Sequence, residues 1–194
     1  MYSHDVLVLG AGLAGMRAAL EAAKSGANVA MLSKVYPVRS HSNAAQGGIN
    51  AALTDRGDDW ADHAYDTVKG SDFLGDQDAI EVMCSEAGQE LINLEHMGVI
   101  FNRDEEGRLG TRAFGGQRRA RTFFVADITG QAILHVMFEQ ILKYNVRVYD
   151  EWYATNLIMD GGRCGGVVAM EMRTGDIQAI QAKATILATG GSGR

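Results

Sequence analysis

The sequence predicts an α/β fold with a parallel sheet plus an antiparallel β-meander, and three observations carry that prediction. Asp5–Gly15 (Asp-Val-Leu-Val-Leu-Gly-Ala-Gly-Leu-Ala-Gly) reads as a buried strand stopping at a glycine-rich turn that opens a helix. A second strand-like run, Asn28–Ser33, follows that helix and closes a βαβ unit of about 30 residues. Beyond residue 146 strand-like runs are separated by Gly161-Gly162 and Thr174-Gly175-Asp176, and turns that tight imply antiparallel neighbours.

Composition sets outer limits on function. At 194 residues one domain, 1–194, is the default. A hydrophobic share of 46% with 22% charged residues suits a soluble globular protein, and one proline against 24 glycines argues for tight turns rather than linkers. The net charge of −6 argues against a general nucleic-acid binder, which needs an excess of Lys and Arg. Cys84 and Cys164 have neither metal-ligand spacing nor the density of a disulfide scaffold, so they read as reduced, buried thiols, and no metal site is expected. The first strand starts within five residues of Met1, so no targeting peptide is expected. No apolar run approaches the ~20 residues of a membrane span, so any membrane contact is expected to be indirect.

In the opening turn each glycine has its own reason: Gly10 for the tight bend, Gly12 for close approach of backbone to a pyrophosphate, Gly15 for close packing of helix on strand. Free N–H groups at the helix start, helped by the helix dipole, would face the phosphates. Met16, Ala19, Leu20 and Ala23 line one side of the helix, and Gly26 stands at its end. The second strand ends in Ser33-Lys34 where an acidic residue is usual, so a serine hydroxyl would meet a ribose and the argument for NAD is missing. A flavin dinucleotide is at least as well accommodated.

Pro37–Gly48 is too polar and irregular for a strand or an amphipathic helix. It reads either as a surface loop or as a cofactor-lining segment in which Arg39, Ser40, His41, Ser42 and Gln46 face the cofactor and Gly47-Gly48 lets backbone reach a ring. Asp58–Lys69 predicts a helix with Trp60, Ala61, Ala64, Tyr65 and Val68 inward. Asp76 caps helical sequence running to Met97, with Ile80, Met83, Cys84, Ala87, Leu91, Ile92 and Leu94 as a core stripe and Gly88 as a break between two helices. Phe101–Arg121 lacks periodicity. Its Arg118, Arg119 and Arg121 read either as a solvated basic run or as an anion site.

Thr129–Tyr144 follows as a helix, with Ile133, Val136, Met137, Ile141 and Leu142 inward. Strands are expected at Val146–Tyr149, Tyr153–Met159, Gly166–Arg173 and Ile177–Gln181, then a separate buried strand from Ala184 into the glycines at 190 and 191.

These residues, taken together, resemble the flavoprotein subunit of succinate dehydrogenase and its relative quinol:fumarate reductase. The resemblance rests not on Gly10-Ala-Gly-Leu-Ala-Gly15, which many flavoproteins share, but on Leu32-Ser-Lys34, Arg39-Ser-His-Ser42, Ala45-Gln-Gly-Gly-Ile49, Asp66-Thr-Val-Lys-Gly-Ser-Asp72, Gly75-Asp-Gln-Asp-Ala79, Glu95-His-Met-Gly98, Phe114-Gly-Gly-Gln117 and Ala188-Thr-Gly-Gly191. It implies a Rossmann-like FAD-binding domain whose capping domain is absent from this chain. It places Gly10, Ala11, Gly12, Leu13, Ala14, Gly15, Ser33, Lys34, Ser40, Ser42, Gln46, Gly47, Gly48, Ala188, Thr189 and Gly190 at FAD-contacting positions.

His41 takes the position that is joined covalently to the flavin, and Phe114 the edge of the dicarboxylate pocket. The family's proton-shuttling arginine and the residues that clamp succinate would lie beyond Arg194, so no catalytic residue is assigned here.

The resemblance further implies succinate or fumarate as substrate, with hydride passing to the flavin. It implies an iron–sulfur subunit as partner, membrane anchor subunits reached through it, and a peripheral location on the cytoplasmic side of the inner membrane. Fumarate reduction is the alternative direction. L-Aspartate oxidase is a further alternative, disfavoured by His41 because that family carries a small residue there. The link from Gln117 to Arg121 is shorter than in many members. As an isolated chain, a non-catalytic flavin-binding module is the expected behaviour.

Overall fold

The computed structural model describes residues 2–191. In chain order the elements are β1 (Tyr2–Leu9), α1 (Leu13–Lys24), β2 (Val29–Ser33), β3 (Ile49–Asn50), α2 (Trp60–Gly70), α3 (Gln77–Met97), β4 (Thr111–Arg112), β5 (Thr122–Phe123), α4 (Thr129–Lys143), β6 (Arg147–Asp150), β7 (Trp152–Asp160), β8 (Arg163–Glu171) and β9 (Ile177–Leu187). They form two compact units, one from the chain up to Asn43 with the chain from Leu134 onward, the other from Ala44–Ile133.

The first unit is built on a six-stranded mixed sheet, ordered β6-β2-β1-β9-β8-β7. β1 runs parallel to β2 from Val6↔Val29 to Leu9↔Leu32, and α1 connects them as the glycine turn foretold. Leu7, Val8, Ala30 and Met31 have no exposed surface, which is why both strands read as unbroken apolar runs rather than alternating ones. Met16, Ala19 and Leu20 of α1 are buried at helical spacing. At the far end of the core Tyr149 and Trp152 join Leu7, Leu9, Ala30 and Leu32, with the two ring centroids 5.5 Å apart.

The carboxyl-terminal strands differ from expectation in one respect. Ile177–Leu187 is a single strand, not two separated near Lys183. It pairs antiparallel with β8 (Met170↔Ile177 to Gly166↔Gln181) and parallel with β1 (Tyr2↔Ile180 to Leu9↔Leu187). One strand therefore belongs to both the meander and the parallel sheet, and the two expected sheets are one. Its last turn-ward residues are not buried either, since Ile186 and Leu187 are 37% and 63% exposed.

In the second unit α2 and α3 pack together beside a small sheet ordered β3-β5-β4. Asp59 and Asp76 cap the two helices, accepting from the Ala61 and Ala79 amides at 2.6 and 3.2 Å. Gly98 closes α3 in the left-handed conformation, as expected. Gly88, by contrast, does not break α3, which is continuous over 21 residues. A β-carbon at Gly88 would lie 2.9 Å from the Ala52 carbonyl oxygen, so the missing side chain admits a neighbouring backbone rather than ending the helix.

Three inward assignments are corrected. On α2 the buried residues are His63 and Asp66, while Trp60 and Tyr65 are 39% and 52% exposed. On α3 Met83 is exposed and only Cys84 and Leu91 of the stripe are fully buried. On α4 Leu134 is buried in place of Leu142. Cys84 is buried as expected and Cys164 only half-buried, both as free thiols.

Candidate functional site

In the first unit the opening turn is held by its neighbours' backbones. The Gly10 amide donates to the Leu32 carbonyl at 2.8 Å, and the Ala188 amide donates to the Leu9 carbonyl at 2.8 Å. Gly10 has φ +106°, and a β-carbon there would fall 2.2 Å from the Ala188 carbonyl oxygen. At Gly15 a β-carbon would lie 2.0 Å from the Gly10 carbonyl oxygen, so helix and turn touch backbone to backbone. The parallel ladder between β1 and β9 brings Ala188, Thr189 and Gly190 to the same end of the sheet as Gly10–Gly15.

The polar loop after β2 returns to the start of α1. It forms two short turns, Pro37–Arg39 and His41–Ala44. Ser42 Oγ accepts the Leu13 amide at 3.2 Å. A β-carbon on Gly12 would stand 3.2 Å from Ser42 Oγ and 3.9 Å from Ser40 Oγ. Gly12 itself caps α1 without a side-chain hydrogen bond, and the buried Ser40 Oγ has no protein partner among the described residues. A polar recess lined by glycine and hydroxyls results, at the positive end of a helix dipole. Ser33 is buried at the end of β2, its hydroxyl accepting the Val35 amide at 3.4 Å, whereas Lys34 and His41 are exposed.

In the second unit Gln46, Gly47 and Gly48 form a turn that Arg112 clamps. The guanidinium donates from Nε to the Gly47 carbonyl at 3.1 Å and from Nη2 to the Gln46 carbonyl at 3.0 Å, and lies 4.4 Å from the Phe124 ring centroid. A β-carbon on Gly47 would meet the Phe114 ring at 3.1 Å, so the half-exposed phenylalanine lies over this turn. Gly48, with φ +114°, lies against the Phe123 carbonyl. Arg112 was not singled out by the sequence, where nothing local marks an arginine in an aperiodic stretch as the partner of carbonyls 65 residues earlier.

The basic run is neither solvated throughout nor a free anion site made of all three arginines. Arg121 is 1% exposed and donates to Asp58 from Nε and Nη2 at 2.8 and 2.9 Å and to Asp66 from Nη1 at 2.7 Å. Arg118 donates to Asp66 through Nε at 2.8 Å and to Asp62 through Nη2 at 2.8 Å. Burial alone would raise the Asp58 and Asp66 carboxyls, but the arginine and amide hydrogen bonds outweigh it and hold both below the usual carboxylate value. Beside them His63 is pulled below its ordinary value, first by burial and then by Arg121. Arg118 and Arg121 are thus internal counterions, and Asp58, His63 and Asp66 form a polar core that the amphipathic pattern did not reveal.

A family model described as FAD binding domain matches residues 5–194. The chain belongs to that family. Within it, the chain is 50% identical over 202 residues to the succinate dehydrogenase flavoprotein subunit of Rickettsia bellii, covering all of this chain and 34% of the relative. It is 49% identical over 194 residues to the fumarate reductase flavoprotein subunit of Mycobacterium tuberculosis, covering 98% of this chain and 33% of the relative. Its structure is similar to that of a variant of E. coli quinol fumarate reductase, with a TM-score of 0.93 and 39% identity over 99% of this chain and 33% of that one. The chain spans about a third of the length of the relatives it matches.

For an FAD-binding-domain protein the placement of the expected residues is informative. Gly10, Ala11, Gly12, Leu13, Ala14 and Gly15 share one end of the sheet with Ala188, Thr189 and Gly190, and Ser40 and Ser42 come back to Gly12. Gln46, Gly47, Gly48 and Phe114 gather separately in the second unit. No group of three or more metal-binding side chains occurs among the described residues, and none of their helices is long and apolar enough to cross a membrane.

Proposed function

We propose that this chain is the FAD-binding part of a succinate dehydrogenase flavoprotein, with a Rossmann-like dinucleotide site in its first unit, and that the protein built on it oxidises succinate to fumarate. The observation that carries this reading is the backbone contact of Gly10 with Ala188 and of Gly15 with Gly10, which leaves the glycine-capped start of α1 facing the ends of two parallel strands. The residues fit the cofactor: the recess at Gly12 is one a β-carbon would fill, and the buried Ser40 hydroxyl has a hydrogen bond to give.

In this reading Gly10–Gly15 and Ala188–Gly190 hold the pyrophosphate region, where amides and the helix dipole offset its negative charge. Ser33 offers a hydroxyl to the ribose and Lys34 a nearby cation, while Ser40 and Ser42 supply hydroxyls. His41, exposed and carried on a short turn, is the residue proposed for covalent attachment. In the second unit Gln46, Gly47 and Gly48 present backbone to the ring system, and Phe114 edges the dicarboxylate pocket. FAD, when bound, supplies the acceptor for a hydride. No residue of this chain is assigned to proton transfer, so the isolated chain is proposed to bind flavin without turnover.

Similarity to flavoprotein subunits supports an iron–sulfur subunit as partner, membrane anchors reached through it, and a peripheral position on the cytoplasmic face of the membrane. Quinol:fumarate reduction is the second reading, favoured by the fumarate reductase relatives. His41 speaks against an L-aspartate oxidase. Denaturing electrophoresis of the flavin-loaded protein tests the core of the proposal. A fluorescent band that His41→Ala abolishes is expected, and a dark band with all flavin released overturns the covalent attachment.

A further inference from the structure

The turn between α2 and α3 in the second unit holds two large apolar side chains out in solvent, on a backbone that is strained to do so. Phe73 and Leu74 are 62% and 88% exposed, so neither serves the unit's own core. Asp72 and Phe73 have φ +52° and +60°, two consecutive non-glycine residues in the left-handed region, where an L side chain crowds the following carbonyl.

The turn is nonetheless fixed. The Asp72 and Phe73 amides donate to the Lys69 and Val68 carbonyls at 3.1 and 3.0 Å, and the Leu74 amide donates to the Ser71 carbonyl at 3.0 Å. Ser71 Oγ donates to the Val68 carbonyl at 2.8 Å and accepts the Gly75 amide at 3.3 Å. A strained, hydrogen-bonded turn that presents an aromatic and an aliphatic side chain is a preorganised anchor, because its ordering is complete before anything binds. Preorganisation of this kind favours an encounter between separate chains, since the parts of one chain order together as it folds.

On the adjoining first turns of α3, Ala79, Val82 and Met83 share one face and are exposed as well. The charges around them are one-sided, with exposed Asp72, Asp76, Asp78 and Glu81 against Lys69. Two copies meeting here would set acid against acid, whereas a partner with Lys or Arg around an apolar pocket is attracted. The flanking segments, Asp66–Asp72 and Gly75–Ala79, carry part of the family resemblance yet supply no residue assigned to FAD or substrate.

We propose that Phe73 and Leu74 are the apolar anchors by which the protein built on this chain docks its iron–sulfur subunit, into a pocket rimmed by basic side chains. The inference rests on the reading above that such a subunit is the partner, and adds the surface used and the charge that meets it.

Interferometry of the full-length, FAD-loaded flavoprotein with its purified iron–sulfur subunit tests this. Phe73→Ser and Leu74→Ser should each raise Kd about tenfold or more, mainly through faster dissociation, while Asp78→Lys should slow association several-fold and flatten its salt dependence. Ile177→Ser, similarly exposed but in the first unit, should change neither. Phe73→Gly separates docking from folding: it relieves the left-handed strain, so the thermal midpoint should be no lower while binding falls as in the serine variant. If the unsubstituted proteins do not bind, the partner reading itself fails; if they bind and Leu74→Ser binds as tightly, only this surface fails. Amide exchange equally slow at residues 71–83 in the free and bound flavoprotein would mean that its own chain covers the turn, and self-association abolished by Leu74→Ser would mean a second copy does. Either result overturns the proposal.

Discussion

Arg121 holds Asp58 through two parallel hydrogen bonds, Nε to Oδ2 at 2.8 Å and Nη2 to Oδ1 at 2.9 Å, with the arginine 1% exposed. The pair joins β5's leading edge to the start of α2 across 63 residues of sequence, and Asp66 completes it from the buried side of the helix. Removing the arginine would leave the buried Asp58 without its hydrogen-bonded counterion and Asp66 with Arg118 alone. Arg121→Met should therefore lower unfolding free energy by ~3–5 kcal/mol, against less than ~1 kcal/mol for Arg119→Met, whose charge is half in solvent. Urea unfolding checks this, and equal midpoints for the two variants would contradict it.

The same cluster sets a pH dependence. His63 has its folded pKa below the ordinary 6.5, so the unfolded chain takes up a proton more readily and stability declines as pH falls below about that value. Asp58 and Asp66, also depressed from an ordinary 3.8, add a second loss only when pH falls below the normal carboxylate range. Unfolding measured from neutral to mildly acidic pH should show the histidine phase in the native protein and not in His63→Gln. Retention of that phase in the variant would remove His63 as its source.

Gly15 and Gly26 offer a matched contrast. A β-carbon on Gly15 would lie 2.0 Å from a backbone oxygen, whereas Gly26, with φ +87°, has nothing within 4 Å. Gly15→Ala should cost roughly 3 kcal/mol and abolish flavin retention, while Gly26→Ala should cost about 1 kcal/mol of left-handed strain and keep the flavin. Thermal unfolding with the flavin absorbance of the purified variants measures both.

Arg112→Met should free the Gln46 and Gly47 carbonyls without unfolding the unit. Loss of three charge-assisted hydrogen bonds to these two carbonyls, on the order of 1.5–3 kcal/mol, should speed amide exchange in residues 46–48 about tenfold or more. Unchanged exchange there would show that the Arg112 hydrogen bonds do not hold the turn.

If proton transfer depends on groups outside this chain, the purified 194-residue protein should give no succinate-dependent dye reduction even when loaded with flavin. Measurable turnover would place the proton shuttle within these residues.

Much of the first unit was legible because its signals are local. The run Val6–Leu9, the glycines of the turn and the run Val29–Ser33 lie within one βαβ length, and each carries its own periodicity or conformational demand. Ser40 and Ser42 were singled out from their place after that unit, and the structure sets their hydroxyls beside Gly12. Less local features were misread. Two residues per strand give β3, β4 and β5 no alternation to detect, and the merged β9 looked like two strands because its polar middle resembles a turn.

Sequence alone determined the glycine turn that opens α1, the α/β class and the family, since these rest on residues whose chemistry is fixed by near neighbours. Tertiary structure decided which side of α2 is the inside. Asp66 is buried there because Arg121, from 55 residues beyond it, supplies the charge that makes its burial tolerable, and no pattern within a helix can announce a counterion that arrives through space.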